Sequence, residues 1–179
     1  MPIARALTEP NFDTRWTSLR RPSVTQTPHI WRNWLTDAGS LTKRLVALSE
    51  GDFEVKVVRQ GWQTPTRSEA KALRMGTREK ALVREVQLVV KGEPLVYART
   101  IIPATTLTGR QRTLKLLGNR SLGSMLFSDP TMRRSPLQFS RLRLQDKRTD
   151  VWARRSLFYL SEKPLLVCEV FLPALQQLK

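Results

Sequence analysis

The chain has 179 residues, 40% of them hydrophobic, which is enough to bury one core and argues for a single domain over a disordered tail. One cysteine, Cys168, excludes an internal disulfide, and with one histidine, His29, a zinc site would have to rest on carboxylates. The net charge of +16 attracts anions, whether nucleic acid, anionic lipid or a small polyanionic substrate, while no apolar run reaches the roughly 18 residues of a membrane helix.

Residues 1–28 hold four prolines and no apolar core segment, so they read as a weakly ordered arm without a secretory signal, and residues 29–179 as the domain. His29 reads as a plain surface or cap-adjacent residue. "HIWRNWLTDAGSLTKRLVALSEG" is helical on both sides of "DAGS", with Asp37 or Ser40 as cap of the second piece and Gly51 past its end. "DFEVKVVRQGW" alternates apolar and polar residues, the period of a half-buried strand, and "SEAKALRM" after Pro65 is a short helix. Two strand-like runs, 82–90 and 94–102, flank "KGEP" and predict a β-hairpin. "RQRTLKLLGNRSLGSMLFS" gives two short helical pieces broken at Gly118 and Asn119. After Pro136, "LQFSRLRLQ", "VWARRSLFYLS" and "PLLVCEVFLP" supply three more strands. About six strands with short connections predict an α+β fold on a single antiparallel sheet. There is no Gly-rich phosphate loop and no G-x-S-x-G elbow.

Side chains alternate faces along a strand, which sorts the charged residues. Arg84 shares a face with Leu82, Val86, Leu88 and Val90, where a permanent cation needs an anionic partner. Glu169 shares one with Leu165, Val167 and Phe171, and the opposite face (Leu166, Cys168, Val170, Leu172) is also apolar, so this strand should be central. A buried carboxylate without a partner would be suited to proton transfer. An ion pair between Arg84 and Glu169 explains the same pattern structurally, and periodicity does not separate the two readings. Arg99 shares its face with Leu95, Tyr97 and Ile101, either to meet a substrate carboxylate or to pair with an acid. The basic excess is dense in 133–155, where most Lys and Arg should be solvated.

"SLTKR" (40–44), "LVRE" (82–85), "GEPLVYARTIIP" (92–103), "LGNRSLGSMLF" (117–127), "WARRS" (152–156) and "KPLLVCEVFLP" (163–173) together resemble the chorismate pyruvate-lyase family, in order, from about residue 31 to residue 175. The resemblance implies helical flaps closing over an internal ligand cavity, and cleavage of chorismate to 4-hydroxybenzoate and pyruvate toward ubiquinone. It implies a cytoplasmic enzyme, a monomer, with no metal and no organic cofactor. Carried over residue by residue, Arg84 holds the aryl carboxylate and Glu169 contacts the ring hydroxyl, as the catalytic pair. Backbone groups of Leu41 and Leu122 complete the carboxylate site, and position 41 is Met in some relatives. Arg99 remains a candidate for the second carboxylate. Two alternatives stand beside this reading. One is a small-molecule-sensing domain of the same fold, although 1–30 is too short for a DNA-binding partner domain. The other is a basic nucleic-acid-binding protein, against which the absence of reading motifs counts.

Overall fold

Lys91 and Gly92 have φ of 50° and 79°, the paired positive values that a tight right-twisted hairpin turn requires. That turn joins β3 (Ala81–Val90) to β4 (Glu93–Pro103), antiparallel and in a register that sets Arg84 beside Thr100 and Val86 beside Ala98. The computed structural model describes residues 9–18, 28–146 and 148–178. Around the hairpin lie β1 (Thr17–Ser18), β2 (Phe53–Gln63), β5 (Arg133–Arg134), β6 (Gln138–Arg143), β7 (Asp150–Leu160) and β8 (Lys163–Phe171). They form one antiparallel sheet in the order β1-β6-β7-β8-β4-β3-β2, with β5 pairing β7. The described strands number eight rather than about six, because β1 and β5 are two-residue additions. β8 lies between β7 and β4, and both faces are needed to bury it.

Four short helices follow the expected breaks: α1 (His29–Leu35), α2 (Leu41–Leu48), α3 (Arg67–Ala72) and α4 (Leu122–Ser128). Ser40, not Asp37, caps α2 by accepting from the Lys43 amide; Asp37 accepts from Gly39 N and pairs with Arg44 instead. Thr66 and Glu69 form a reciprocal capping box at α3. The segment 109–116 is a 3-10 helix, and Gly118, at φ 56°, makes the break before α4 that its lack of a Cβ permits.

One face of the sheet carries the site. Trp31, Trp34 and Leu35 of α1, with Leu41 and Leu45 of α2, pack on Val86, Leu88, Val96 and Phe171. Leu45 is fully buried, worth about 1.5–3 kcal/mol by transfer. Further along the same face, the 3-10 helix and α4 pack Leu114, Leu117 and Leu126 on Leu82, Ile102, Phe158 and Leu165. These two apolar clusters act as separate covers, and a cavity opens between them. The opposite face is covered by α3 and by residues 9–18. Pro10 bridges Leu144, Thr17 and Ser18 pair with β6, and Phe12 and Trp16 pack on the cluster around Tyr97 and Val170. The expected weakly ordered arm thus has a described stretch lying on the sheet; residues 1–8 and 19–27 lie outside the described residues.

Candidate active site

The cavity is walled by β3, β4 and β8 below and by α2 and α4 above. Its charged groups sit at opposite ends, Arg84 at one and Glu169 at the other, with Val86, Ala98, Thr100 and Val167 between them. Its empty space, counted out through the mouth, is about 550 Å³, of which the centres of water-sized molecules can occupy about 40 Å³. It is therefore a narrow slot with an apolar middle and a charge at each end.

Arg84 is only 3% exposed. Its guanidinium donates to Gln60 Oε1 at 3.1 Å and to the Arg120 carbonyl at 3.1 Å, both neutral acceptors. No carboxylate among the described residues pairs with it, and burial pulls its pKa below the ordinary arginine value. A desolvated cation without a protein carboxylate beside it is costly, so this end of the slot has the chemistry of an anion site.

Two helix starts converge on the same end. Leu41 and Leu122 each occupy the first position of a helix, α2 and α4, where backbone N–H groups have no partner within the helix. The caps Ser40 and Ser121 accept from Lys43 N and Ser124 N, leaving the Leu41 and Leu122 amides uncapped by them. Ser121 Oγ donates to Thr42 Oγ1 at 2.9 Å, which joins the two helices. A Cβ on Gly123 would stand 2.7 Å from Thr42 Oγ1, so only glycine allows this approach. Gly123→Ala should therefore push the helices apart and weaken binding of a small carboxylate in the cavity by about tenfold, taking about 1.4 kcal/mol as the cost of the shift. Adding Thr42→Ala should restore part of that affinity in a calorimetric titration, since it removes the obstructing oxygen.

Glu169 does not meet Arg84. The two lie two strands and two residues apart, roughly 12 Å between Cα atoms at ordinary sheet spacing. Glu169 instead takes a 2.6 Å hydrogen bond from Arg154 Nε, and Arg134 stands 4.0 Å away. Both arginines approach Oε2, and neither contact uses Oε1. The premise of an isolated carboxylate therefore fails: Glu169 is held by charge-assisted hydrogen bonding. Arg154 is 1% exposed and also donates to the carbonyls of Trp34 and Leu35, at the end of α1, and of Asp37, on the connection to α2. Arg134 donates to Ser156 Oγ and the Ala38 carbonyl, and burial lowers its pKa more than Glu169 restores it.

Arg99 lies on the opposite face of the sheet, away from the cavity. It makes two bonds to Glu69, at 2.7 and 3.1 Å, and one to Glu85 at 3.0 Å. Burial works against its charge, yet these two acids outweigh it and raise its pKa. Arg59 contacts Glu85 in turn, and the Tyr97 hydroxyl there is pushed up to about 12, by burial first and then by Glu85. The pairing alternative for Arg99 is the one the geometry realises. Arg99→Met leaves two buried carboxylates short of their cation and should cost about 3–5 kcal/mol in denaturant unfolding. Activity per folded molecule should hold.

Of the basic residues between 133 and 155, Arg133, Arg141, Arg143 and Arg148 are exposed as expected, but Arg134, Arg154 and Arg155 turn inward. Arg155 bonds Gln138 and Ser68 on the face opposite Arg154.

Among solved structures, the C-terminal domain of PhnF matches with a TM-score of 0.54 at 17% identity, covering 69% of this chain and 86% of that one. A GntR-family transcriptional regulator from Bacillus cereus matches at 0.52 and 11% identity, covering 68% and 92%. These likenesses define the fold, an open antiparallel sheet with few helices, and at such identity nothing more. The sequence goes further: the pattern of the family described as chorismate lyase matches residues 14–178, and the chain belongs to that family. A probable chorismate pyruvate-lyase of Marinobacter nauticus is 44% identical over 82% of this chain and 78% of its own. Another, from Nitrosomonas europaea, is 40% identical over 88% and 94%. No helix among the described residues is long and apolar enough to cross a membrane.

Proposed function

We propose that this chain is an active carbon–oxygen lyase that cleaves chorismate to 4-hydroxybenzoate and pyruvate, as a monomer in the cytoplasm, with no metal or organic cofactor. The observation that carries the reading is Arg84: a buried guanidinium without an acid partner among the described residues, at one end of a slot whose other end is Glu169. Arg84 takes the ring carboxylate through two parallel hydrogen bonds, helped by the backbone of Leu41 and Leu122. Glu169 Oε1 accepts from the ring hydroxyl at the far end, and the apolar walls hold the ring between them.

The reaction removes the hydrogen from the hydroxyl-bearing ring carbon and breaks the bond from the neighbouring ring carbon to the enolpyruvyl oxygen. The electron pair of the C–H bond becomes part of the aromatic ring, that of the C–O bond leaves with oxygen, and a proton ends on the enolpyruvyl methylene to give pyruvate. Aromatisation drives the step, so the protein's part is to orient, desolvate and hold the substrate. Glu169 fixes the hydroxyl-bearing carbon and is the base nearest to it.

Purified protein given chorismate should release pyruvate and 4-hydroxybenzoate in equal amounts. Absence of both products defeats the proposal, and tight binding of 4-hydroxybenzoate without turnover would move the protein to the sensor class.

A further inference from the structure

Six large hydrophobic side chains among the described residues are strongly exposed, and five of them stand on elements that frame the cavity. Val57 and Trp62 project from the edge strand β2, Val46 from α2, Leu116 from the 3-10 helix and Phe127 from α4; Ile30 is the sixth. Leu116 is 74% and Trp62 49% exposed, and the two are neighbours: Lys115 Nζ lies 6.0 Å from the Trp62 ring, and Gln60 donates to the Lys115 carbonyl. An apolar rim of this kind is not explained by the fold, which gains nothing from exposing it.

The charge on the stretch that carries Leu116 and Phe127 is one-sided up to Asp129. Residues 104–128 contain Arg110, Arg112, Lys115 and Arg120 and no acid, and all four side chains are exposed. Helix α2 adds the exposed Lys43, with no acid within its span, while its Arg44 is already paired with Asp37. Exposed aliphatic and Trp side chains set among lysine and arginine are the composition of a surface that lies on an anionic bilayer. Trp suits the headgroup level because its ring is apolar and its N–H polar.

We infer that the flap face built from Trp62, Leu116 and the basic residues of 110–120 docks peripherally on anionic membranes. A single-stranded nucleic acid fits this face less well. It needs a row of aromatic rings along a basic groove, whereas three of the five rim residues (Val46, Val57, Leu116) have no ring. The docking is independent of the chemistry in the cavity, and it sets the cavity mouth against the bilayer.

The test is co-sedimentation of the full chain with phosphatidylglycerol–phosphatidylcholine vesicles and with phosphatidylcholine alone, at about 0.1 M salt, where screening beyond ~10 Å removes long-range attraction. Binding is expected only to the anionic vesicles, with quenching of Trp62 by brominated lipid that is lost in Trp62→Phe. Arg112→Ser with Lys115→Ser should weaken binding at least tenfold, at about 1 kcal/mol per basic residue, and Leu116→Ser should weaken it with no charge change. Arg141→Ser with Arg143→Ser, an equal charge change on the exposed side chains of β6, should leave it intact. The inference is overturned by no binding to anionic vesicles, by equal loss in the β6 control, or by indifference to Leu116→Ser. RNA or DNA bound more tightly than vesicles, with Leu116→Ser neutral, would equally overturn it and assign the face to nucleic acid.

Discussion

Replacing Arg84 by methionine should cut kcat/KM at least thirtyfold while leaving the fold nearly as stable as before. The two halves of that statement come from one fact: the guanidinium is 3% exposed and, among the described residues, bonded to two neutral acceptors, Gln60 Oε1 and the Arg120 carbonyl. Two neutral bonds contribute about 1 kcal/mol each, and removing a buried unpaired charge returns a comparable amount. The net change in unfolding free energy should stay within about 1 kcal/mol. Bound to a substrate carboxylate, the same group forms a desolvated charge pair, whose truncation costs about 2–5 kcal/mol, or roughly thirtyfold to several thousandfold in kcat/KM. Steady-state kinetics and thermal melts separate the effects. The wild type should melt higher with 4-hydroxybenzoate and the variant should not. A large drop in Tm with unchanged kcat/KM would make Arg84 structural.

How the sequence reports on this site depends on the residue. Arg84 and Glu169 are legible as charges among apolar strand neighbours, although for Glu169, on a strand apolar on both faces, the resemblance and not parity supplies the side. Arg99 is not, because β4 is apolar on both faces: Leu95, Tyr97 and Ile101 alternate with Val96, Ala98 and Ile102. Parity alone cannot tell the cavity side from the side that holds Glu69 and Glu85. Arg154 was hidden for a different reason. In "WARRS" it looks like one of many surface arginines, and its acceptors are Glu169, on the next strand, and carbonyls in 34–37, about 120 positions away. No local pattern carries that. The two-residue strands β1 and β5 are too short to show a period, so the sequence reveals the six strands long enough to carry one. Parity within the pair 154–155 did hold one clue, since adjacent arginines on a strand buried on both faces cannot both reach solvent.

Arg154 should be the more damaging loss for the fold, and Glu169 for the reaction. Arg154→Met removes a 1%-exposed cation that ties β8 to the carbonyls before α2, and it leaves Glu169 without its 2.6 Å donor. Breaking a buried pair this way costs about 3–5 kcal/mol. Because the carbonyls it holds lead into the flap that carries Leu41, KM should rise along with the fall in kcat. Arg154 is thus a positioning residue, acting through Glu169 and through the flap. Glu169→Gln keeps an acceptor for Arg154 and is partly open to the cavity, so its stability loss should be the smaller. Its kcat should fall by about a hundredfold or more, the scale of a lost positioned base, with KM near that of the wild type. In the double variant the two stability losses should sum to less than the separate values, since neither buried charge is then left alone. Denaturant unfolding of the four proteins gives that coupling, and pyruvate release gives the split between kcat and KM. Additive stability losses, or a Glu169→Gln enzyme with normal kcat, would separate the arginine from the carboxylate and leave the slot with a single working end.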